Sequence, residues 1–507
     1  MEDSSPPIQP ISKRVKLRFP AIVLAIGLFF FLAIYLLYTG GLVTQKTEIY
    51  FRYSLIGLFL LSIISFFLFS GKQLDLFKKQ TKKEYSLLLT SLMLLPIATL
   101  FSIDIGNYAT GIFVGCALLY FILNRKLYQF NKIYLYLFLY AGLMTVGTIG
   151  TTKGFRFPDT ALSFLVLPIA YTFFNLPRET LFKIAHFVFR AMIIYMVISV
   201  LYWWFNFLHL DSNFLDWITS KQCFNTTEMM EWENQTFLAL GTLYGAHFFV
   251  TSWAYYYHPS YITLVLFFGL ILGLYLLYKK KPIQTVTKFE IFSYVVLLFL
   301  LIALMESRIG LVNLLVILCA TALYYIKLEA SHFKTALITL AVIASASLFI
   351  MDDRIESFVF DNVRKTDYTL ATNYIKDHFW WGTGFDEQKI GLTEQEELMK
   401  DVLPPIGRDK TYTHNQLLGN MVQYGIWGAL VLIVFLVALI RYAVKTRSYL
   451  LQMFLLTIIL FMMIEEPLYG QKGFTIFTVF LTFFIAVGES DKPRKSYIFD
   501  KGNISTI

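Results

Sequence analysis

Apolar runs recur along this chain, each close to the ~20 residues a helix needs to cross about 30 Å of hydrocarbon. They fall near 19–38, 53–70, 85–102, 108–123, 132–150, 160–175, 185–207, 260–278, 290–306, 309–326, 335–351, 414–440, 449–468 and 474–488. Lipid offers no partner to a free backbone N–H or C=O, so each run is read as a helix. That gives about fourteen spans, or about twelve if two terminal ones do not cross. Composition agrees, with 57% hydrophobic residues and only 15% charged, where a soluble domain is roughly a quarter charged. The expected fold is an all-α integral membrane protein, a polytopic helical bundle built as one domain over 1–507. A soluble enzyme, a disordered chain and a nucleic-acid-binding module are excluded.

The net charge is +9, but placement says more than the sum. With the N-terminus inside, the inner segments include KQLDLFKKQTKK (72–83), NRKLYQFNK (124–132), YKKKPIQTVTK (278–288), RYAVKTR (441–447) and DKPRK (491–495). The short outer loops are far poorer in Lys and Arg, as the positive-inside rule requires. Both termini are then cytoplasmic. Lys13, Arg14, Lys16 and Arg18 precede the first apolar run, and no small-residue cleavage site follows. This reads as a retained span rather than a signal peptide. The stretch 237–255 is apolar enough to cross, but crossing would put Lys279–Lys281 outside, so a re-entrant or surface-lying helix is expected there. Cys116, Cys223 and Cys319 have neither zinc nor disulfide spacing.

Two large loops remain on the outer face, about 208–259 and 352–412. Loops of that length are uncommon and usually functional. In the second, 367–379 places Leu370, Tyr374, Ile375 and His378 at helical spacing. A two-glycine turn follows at 380–386. Thr393–Glu396 has capping-box spacing and opens a short helix through Leu403. A second capping box, Thr413–Gln416, would put His414 in the first turn of the next span. There a neutral imidazole can serve as a general base, although a histidine that merely caps its helix looks the same. Gly425 and Gly428 would let another helix pack closely.

Arg156, Arg308, Arg354, Arg364 and Arg408 lie on this face. Guanidinium groups fork onto phosphate, while a snorkelling arginine is the plainer account of any one of them. Arg308 stands out because ESRIG interrupts two spans with almost no loop. Glu306, Glu465 and Glu466 lie at outer span ends and can pair with Arg308, structurally as well as catalytically. Trp203–Trp204, Trp253–Tyr257 and Trp380–Trp381 suit an interfacial belt, and such rings also stack on sugars. No nucleotide-binding or metal-site pattern occurs.

Ser307-Arg308-Ile309-Gly310-Leu311 resembles the S-R-x-G-L signature of the O-antigen ligase and polymerase family of membrane glycosyltransferases. Arg364, an amphipathic helix and Trp381-Gly382-Thr383-Gly384-Phe385 are similar to that family's G-x-G turn. His414-Asn415-Gln416-Leu417-Leu418, followed by Gly425–Gly428, looks like its H-N-x-x-L…G-x-x-G segment. His258-Pro259-Ser260-Tyr261 is similar to a lead-in seen in some members. The resemblance covers about 255–445.

The resemblance implies glycan transfer from an undecaprenyl-diphosphate carrier on the periplasmic face of the bacterial inner membrane. The acceptor would be lipid A–core, another lipid-linked repeat or a protein hydroxyl. No cofactor, metal or nucleic acid is implied. Arg308 and Arg364 would bind the diphosphate and His414 would be catalytic. Arg156, Glu306, Asn415 and His258 would support them. A ligase is favoured over a polymerase. The rival of another class is a secondary transporter or flippase, for which Arg190 is the main deep ionisable residue and no inverted repeat is evident.

Overall fold

The computed structural model describes residues 83–101, 103–149, 151, 154–155, 157–209, 259–278, 286–305, 307–325, 362–385, 387–398, 413–489, 496–500 and 503–506. The expected spans 19–38, 53–70 and 335–351, residues 210–258 of the first loop with its segment 237–255, and Arg156, His258 and Glu306 lie outside the described residues, as do 352–361 and 399–412 of the second loop.

In chain order the helices are α1 (Lys83–Ala98), α2 (Ile103–Asn124), α3 (Leu135–Val146), α4 (Leu162–Ala170), α5 (Arg178–His209), α6 (Pro259–Tyr278), α7 (Lys288–Leu304) and α8 (Arg308–Tyr325). Two shorter loop helices follow, α9 (Asn362–Asp377) and α10 (Gln388–Leu398), and then α11 (Gln416–Thr446), α12 (Tyr449–Met462) and α13 (Gln471–Gly488). The spans expected from 85–102 through 309–326, and from 414–440 through 474–488, each coincide with one of these helices or with one preceded by a short 3-10 turn. Among the described residues, five stretches (Asp104–Asn124, Arg178–Val200, Ser260–Tyr278, Gln416–Thr446 and Gln471–Gly488) are long and apolar enough to cross a membrane.

Their surroundings differ in a way that locates the lipid. Along α6 and α13 the side chains are buried on all sides, which suits a bundle centre. By contrast, α2 exposes Tyr108, Ile112, Leu119 and Ile122, and α11 exposes Leu430, Ile433, Val434 and Val437. Apolar faces of that extent face lipid rather than water. Close packing at the centre depends on Gly269 and Gly273 of α6. A Cβ on Gly269 would stand 2.2 Å from Met192 Sδ, and one on Gly273 2.2 Å from Phe189 Cε2. The two positions are one turn apart, so α5 lies against a smooth strip of backbone.

The two ends of the bundle are distinct. At one end Tyr128 N–H donates to Thr172 O (2.8 Å), Asn131 Nδ2 donates to Glu489 Oε2 (3.2 Å), and the Tyr324 hydroxyl donates to Arg447 O (2.8 Å). These groups belong to the segments expected inside. At the other end Ser260 meets Glu465, Phe385 meets Gly147 and Lys472 meets Phe101, all from segments expected outside.

One feature departs from the all-α expectation. Strands β1 (Lys126–Tyr128), β2 (Ser496–Asp500) and β3 (Asn503–Thr506) form a small antiparallel sheet. Lys126 pairs with Ile498 and Tyr128 with Ser496, while Asp500 pairs with Asn503. The sheet joins 124–132 to the C-terminal tail, two segments expected on the same side.

Arg190, the deep ionisable residue, is not solitary. Its Nη2 lies 2.7 Å from Glu290 Oε1, and Glu290 closes the capping box that starts α7 at Thr287. A charge in the interior of α5 paired with the first turn of α7 has a structural account in that partner.

Candidate functional site

The loop helices α9 and α10 are built onto a break in α11. At Gly425 the backbone turns left-handed (φ +62°) inside the helix, which frees carbonyls that a regular helix would occupy. The turn after α9 takes them. Thr383 N–H donates to Val422 O (2.7 Å), Gly384 N–H to Gln423 O (2.8 Å), and Ile426 N–H to Phe379 O (2.8 Å). A Cβ on Gly425 would lie 2.3 Å from the Trp380 carbonyl, and one on Gly382 (φ +66°) 2.4 Å from Val422 O. Phe385 N–H reaches on to Gly147 O at the end of α3 (2.7 Å). Gly425 and Gly428 therefore do not admit another helix. Gly425 admits the backbone of the tryptophan turn, and a Cβ on Gly428 would meet Asn420 O of its own bent helix at 2.3 Å.

Between the break and its start, α11 is covered by α9 and α10. Leu370, Ala371, Tyr374 and Ile375 of α9 and Leu392 of α10 close over Val422, with Leu418 and Met421 at the edge. Helix α9 starts at Asn362 rather than 367. The helix expected to open at Thr393 instead begins earlier, as Gln388–Leu398, and its expected end at Leu403 lies outside the described residues. Gln388, fully buried, explains the earlier start, because it anchors the helix in a polar network.

His414 precedes α11 instead of occupying its first turn. Asn415 is the N-cap, and its Oδ1 accepts from the Leu417 and Leu418 amides (3.0 and 3.1 Å). His414 itself sits at φ +51°, an uncommon conformation for a residue with a Cβ. The capping box expected from Thr413 does not form because Thr413 is engaged elsewhere: its amide and hydroxyl both donate to Glu466 Oε1, the hydroxyl at 2.6 Å. The half-buried imidazole lies between two carboxylates. Its Nε2 is 4.0 Å from Asp367 Oδ2 on α9, and its Nδ1 is 3.7 Å from Glu465 Oε2. Ser260 Oγ at the head of α6 donates to Glu465 Oε1 (3.2 Å). Paired carboxylates stabilise the imidazolium that forms when the ring accepts a proton; at an effective dielectric of about 20, one charge near 4 Å is worth ~4 kcal/mol gross.

Glu466 lies one residue on, in the turn between α12 and α13. The expected span 449–468 ends sooner, at Met462, because two acidic residues cannot continue it into hydrocarbon. Oε1 of Glu466 accepts from Thr413 and from Gln388 Nε2 (3.2 Å), and Gln423 Nε2 donates to Gln388 Oε1 (3.0 Å). Desolvation pushes its pKa up to about 7 against the opposing effect of these donors. A second chain of contacts braces α11 itself: Leu468 N–H to Gln416 Oε1 (2.6 Å), Gln416 Nε2 to Asn420 Oδ1 (2.8 Å) and Asn420 Nδ2 to the Tyr140 hydroxyl (2.9 Å).

The arginines can be followed by backbone. Arg308 is the first residue of α8. Near the other end of α8, Thr321 Oγ1 lies 2.6 Å from the Tyr449 hydroxyl at the start of α12. The two helices are thus antiparallel neighbours, which puts the start of α8 at the end of the bundle where α12 runs into Glu465. Arg364 is in the first turn of α9, three residues before Asp367, and so shares its face. Asn415 acts as a cap and also donates to Met463 O (3.2 Å). Among the described residues no group of three His, Cys, Asp or Glu side chains is arranged to hold a metal ion.

Residues 293–433 match the O-antigen ligase family. The matched stretch runs from α7 to the middle of α11, taking in Arg308, Arg364, His414 and the clamped turn, within the 255–445 of the sequence resemblance. No curated protein matches the chain. Asp367, Gln388 and Gln423 lie within the matched stretch but were not singled out from sequence. Glu465 and Glu466 lie beyond its end, and were expected only to pair with Arg308. The available signal was the adjacent acidic pair closing an apolar helix, charge set where hydrocarbon begins.

Proposed function

We propose that this protein is a glycosyltransferase that moves a glycan from an undecaprenyl-diphosphate carrier to an acceptor hydroxyl, working as a ligase on the periplasmic face of a bacterial inner membrane. The observation that carries the reading is an imidazole held between Asp367 and Glu465, at the bundle end from which α8 starts with Arg308. His414 takes the proton from the acceptor hydroxyl as that oxygen attacks the anomeric carbon. The bond from that carbon to the diphosphate oxygen breaks, undecaprenyl diphosphate leaves, and the anomeric configuration inverts. Arg308 and Arg364 bind the diphosphate and stabilise the charge that grows on it. Asp367 and Glu465 steady the imidazolium, as the carboxylate of a catalytic triad does. As the family resemblance implies, the step is independent of metal and of nucleotide sugar.

The test is turnover of a labelled lipid-linked glycan by the purified protein without any ion gradient. Conjugation to lipid A–core or protein is the expected outcome, and a ladder of longer lipid-linked glycans would make the enzyme a polymerase. Replacing Arg308, Arg364 or His414 by Ala is expected to slow transfer about 10²-fold or more. Full transfer by all three variants would overturn the assignment.

A further inference from the structure

Glu466 is 3% exposed, yet its carboxyl is satisfied on one side only. All its hydrogen bonds from Thr413 and Gln388 converge on Oε1, while Oε2 has no hydrogen-bond partner among the described residues and faces Gly419, whose Cβ, if present, would lie 2.4 Å from it. Burying a half-satisfied carboxyl costs a few kcal/mol, and a plain structural turn would not need one. The groups around it come from every neighbouring element. Tyr261 of α6 donates its hydroxyl to the Glu466 carbonyl (3.3 Å), Tyr140 of α3 and His414 lie within electrostatic reach, Gln388 belongs to α10, and Glu465 is the adjacent residue.

What Glu466 holds is the residue before the histidine. His414 keeps its left-handed φ of +51° only while the surrounding contacts over-determine it, and Thr413 is tied by both its amide and its hydroxyl. We propose that Glu466 is a positioning residue, which fixes the turn presenting His414 and locks that turn to the loop helix α10 through Gln388. This rests on the reading of His414 as the base. Glu466 does not touch substrate. It sets where the imidazole stands, and through Gln388 and Gln423 it links that position to the docking of the outer loop.

The expectation is a kinetic split. Misplacing a catalytic group by about 1 Å costs ~10²-fold in rate, while donor affinity is governed by arginines on α8 and α9. Glu466→Ala should therefore lower kcat ~10²-fold and leave KM for the lipid-linked donor within about twofold. Glu466→Gln keeps an acceptor oxygen where Oε1 stands, and should recover kcat to within about tenfold of the native protein. Gly419→Ala pushes on Oε2 from the other side and should lower kcat as Glu466→Ala does, so the proposal stays testable should the alanine variant not fold. His414→Ala is assayed in parallel. Glu466→Ala with native kcat beside an inactive His414→Ala would overturn the proposal alone. So would a gain in KM with kcat unchanged, or a Gln variant no better than the Ala variant. Native transfer by His414→Ala would instead overturn the reading of the base.

Discussion

Gly425→Ala isolates the junction on which the outer loop depends. The added methyl meets main chain, not a side chain that can rotate: its Cβ would lie 2.3 Å from Trp380 C and O and 2.5 Å from Trp381 N. It must also adopt φ +62° with ψ −153°, a region open essentially to glycine alone, which costs an L-residue about 1–3 kcal/mol. Relief requires the tryptophan turn to lift by roughly 1 Å, a distance that breaks hydrogen bonds made at 2.7–2.8 Å. Three backbone bonds cross the junction, each worth about 1 kcal/mol net. Together with the strain, the docked turn loses ~4–6 kcal/mol, a shift of roughly 10³–10⁴ in its opening equilibrium. Amide hydrogen exchange of the purified protein reads this directly. The Thr383 and Gly384 amides, protected in the native protein by α11 carbonyls, should exchange faster by that factor, while amides in α13 keep their protection. Transfer should fall with it, since α9 carries Asp367 up to His414. Unchanged protection at 383 and 384 would mean that the turn is held by something other than the break in α11, and the account of these glycines would be wrong.

Two further predictions concern charge. Glu466 has a pKa near 7 when folded and 4.5 in its ordinary state, so the folded protein holds the extra proton between those values. Its contribution is present below about pH 4.5 and lost as pH rises through about 7, ~3 kcal/mol in all. Thermal unfolding in detergent should show that decline, and Glu466→Gln should remove it; an identical pH slope in the variant would refute the assignment. Separately, Arg190→Met should destabilise the protein by about 2 kcal/mol by leaving Glu290 unpaired, less than for a fully buried pair because both side chains are partly exposed. The Arg190→Met, Glu290→Met double variant should recover part of that stability. The surviving folded protein should transfer glycan normally, and loss of turnover per folded molecule would count against a purely structural pair.

Most helix positions were legible from the length of apolar runs and the polar breaks between them, because hydrocarbon imposes one solution on the backbone. What was hidden depended on partners distant in sequence. Thr413 to Gln416 has capping-box spacing, but Glu466 competes for Thr413 and Asn415 takes the cap. The two glycines of GIWG signalled a close approach correctly, yet nothing local says that the visitor is the turn at 380–385. Asp367 looks like any polar residue on an amphipathic helix until His414 is placed beside it. The terminal sheet was missed because its strands are short and their partner, Lys126–Tyr128, sits far away between two helices.

The placement of the loop helix α9 follows from where it is tied to α11. Two contacts pin α9 to α11: Asp367 against His414 at one end, and Phe379 against Ile426 at the other. The first and second members of each pair are separated by equal lengths of chain, 367 to 379 along α9 and its exit, 414 to 426 along α11. At 1.5 Å per residue both intervals come to about 18 Å, so the two segments run side by side in the same direction and reach both contacts without stretching. Leu370, Tyr374 and Ile375 fill the seam with Leu418, Met421 and Val422. A helix tied at only one end could swing, and a one-residue change of length would turn its start by about 100°. Pinned at both ends, α9 holds Asp367 at the imidazole, and Arg364 occupies a position one turn earlier in the same helix. The break at Gly425, far from the histidine along the helix, is therefore part of what positions Asp367 beside His414.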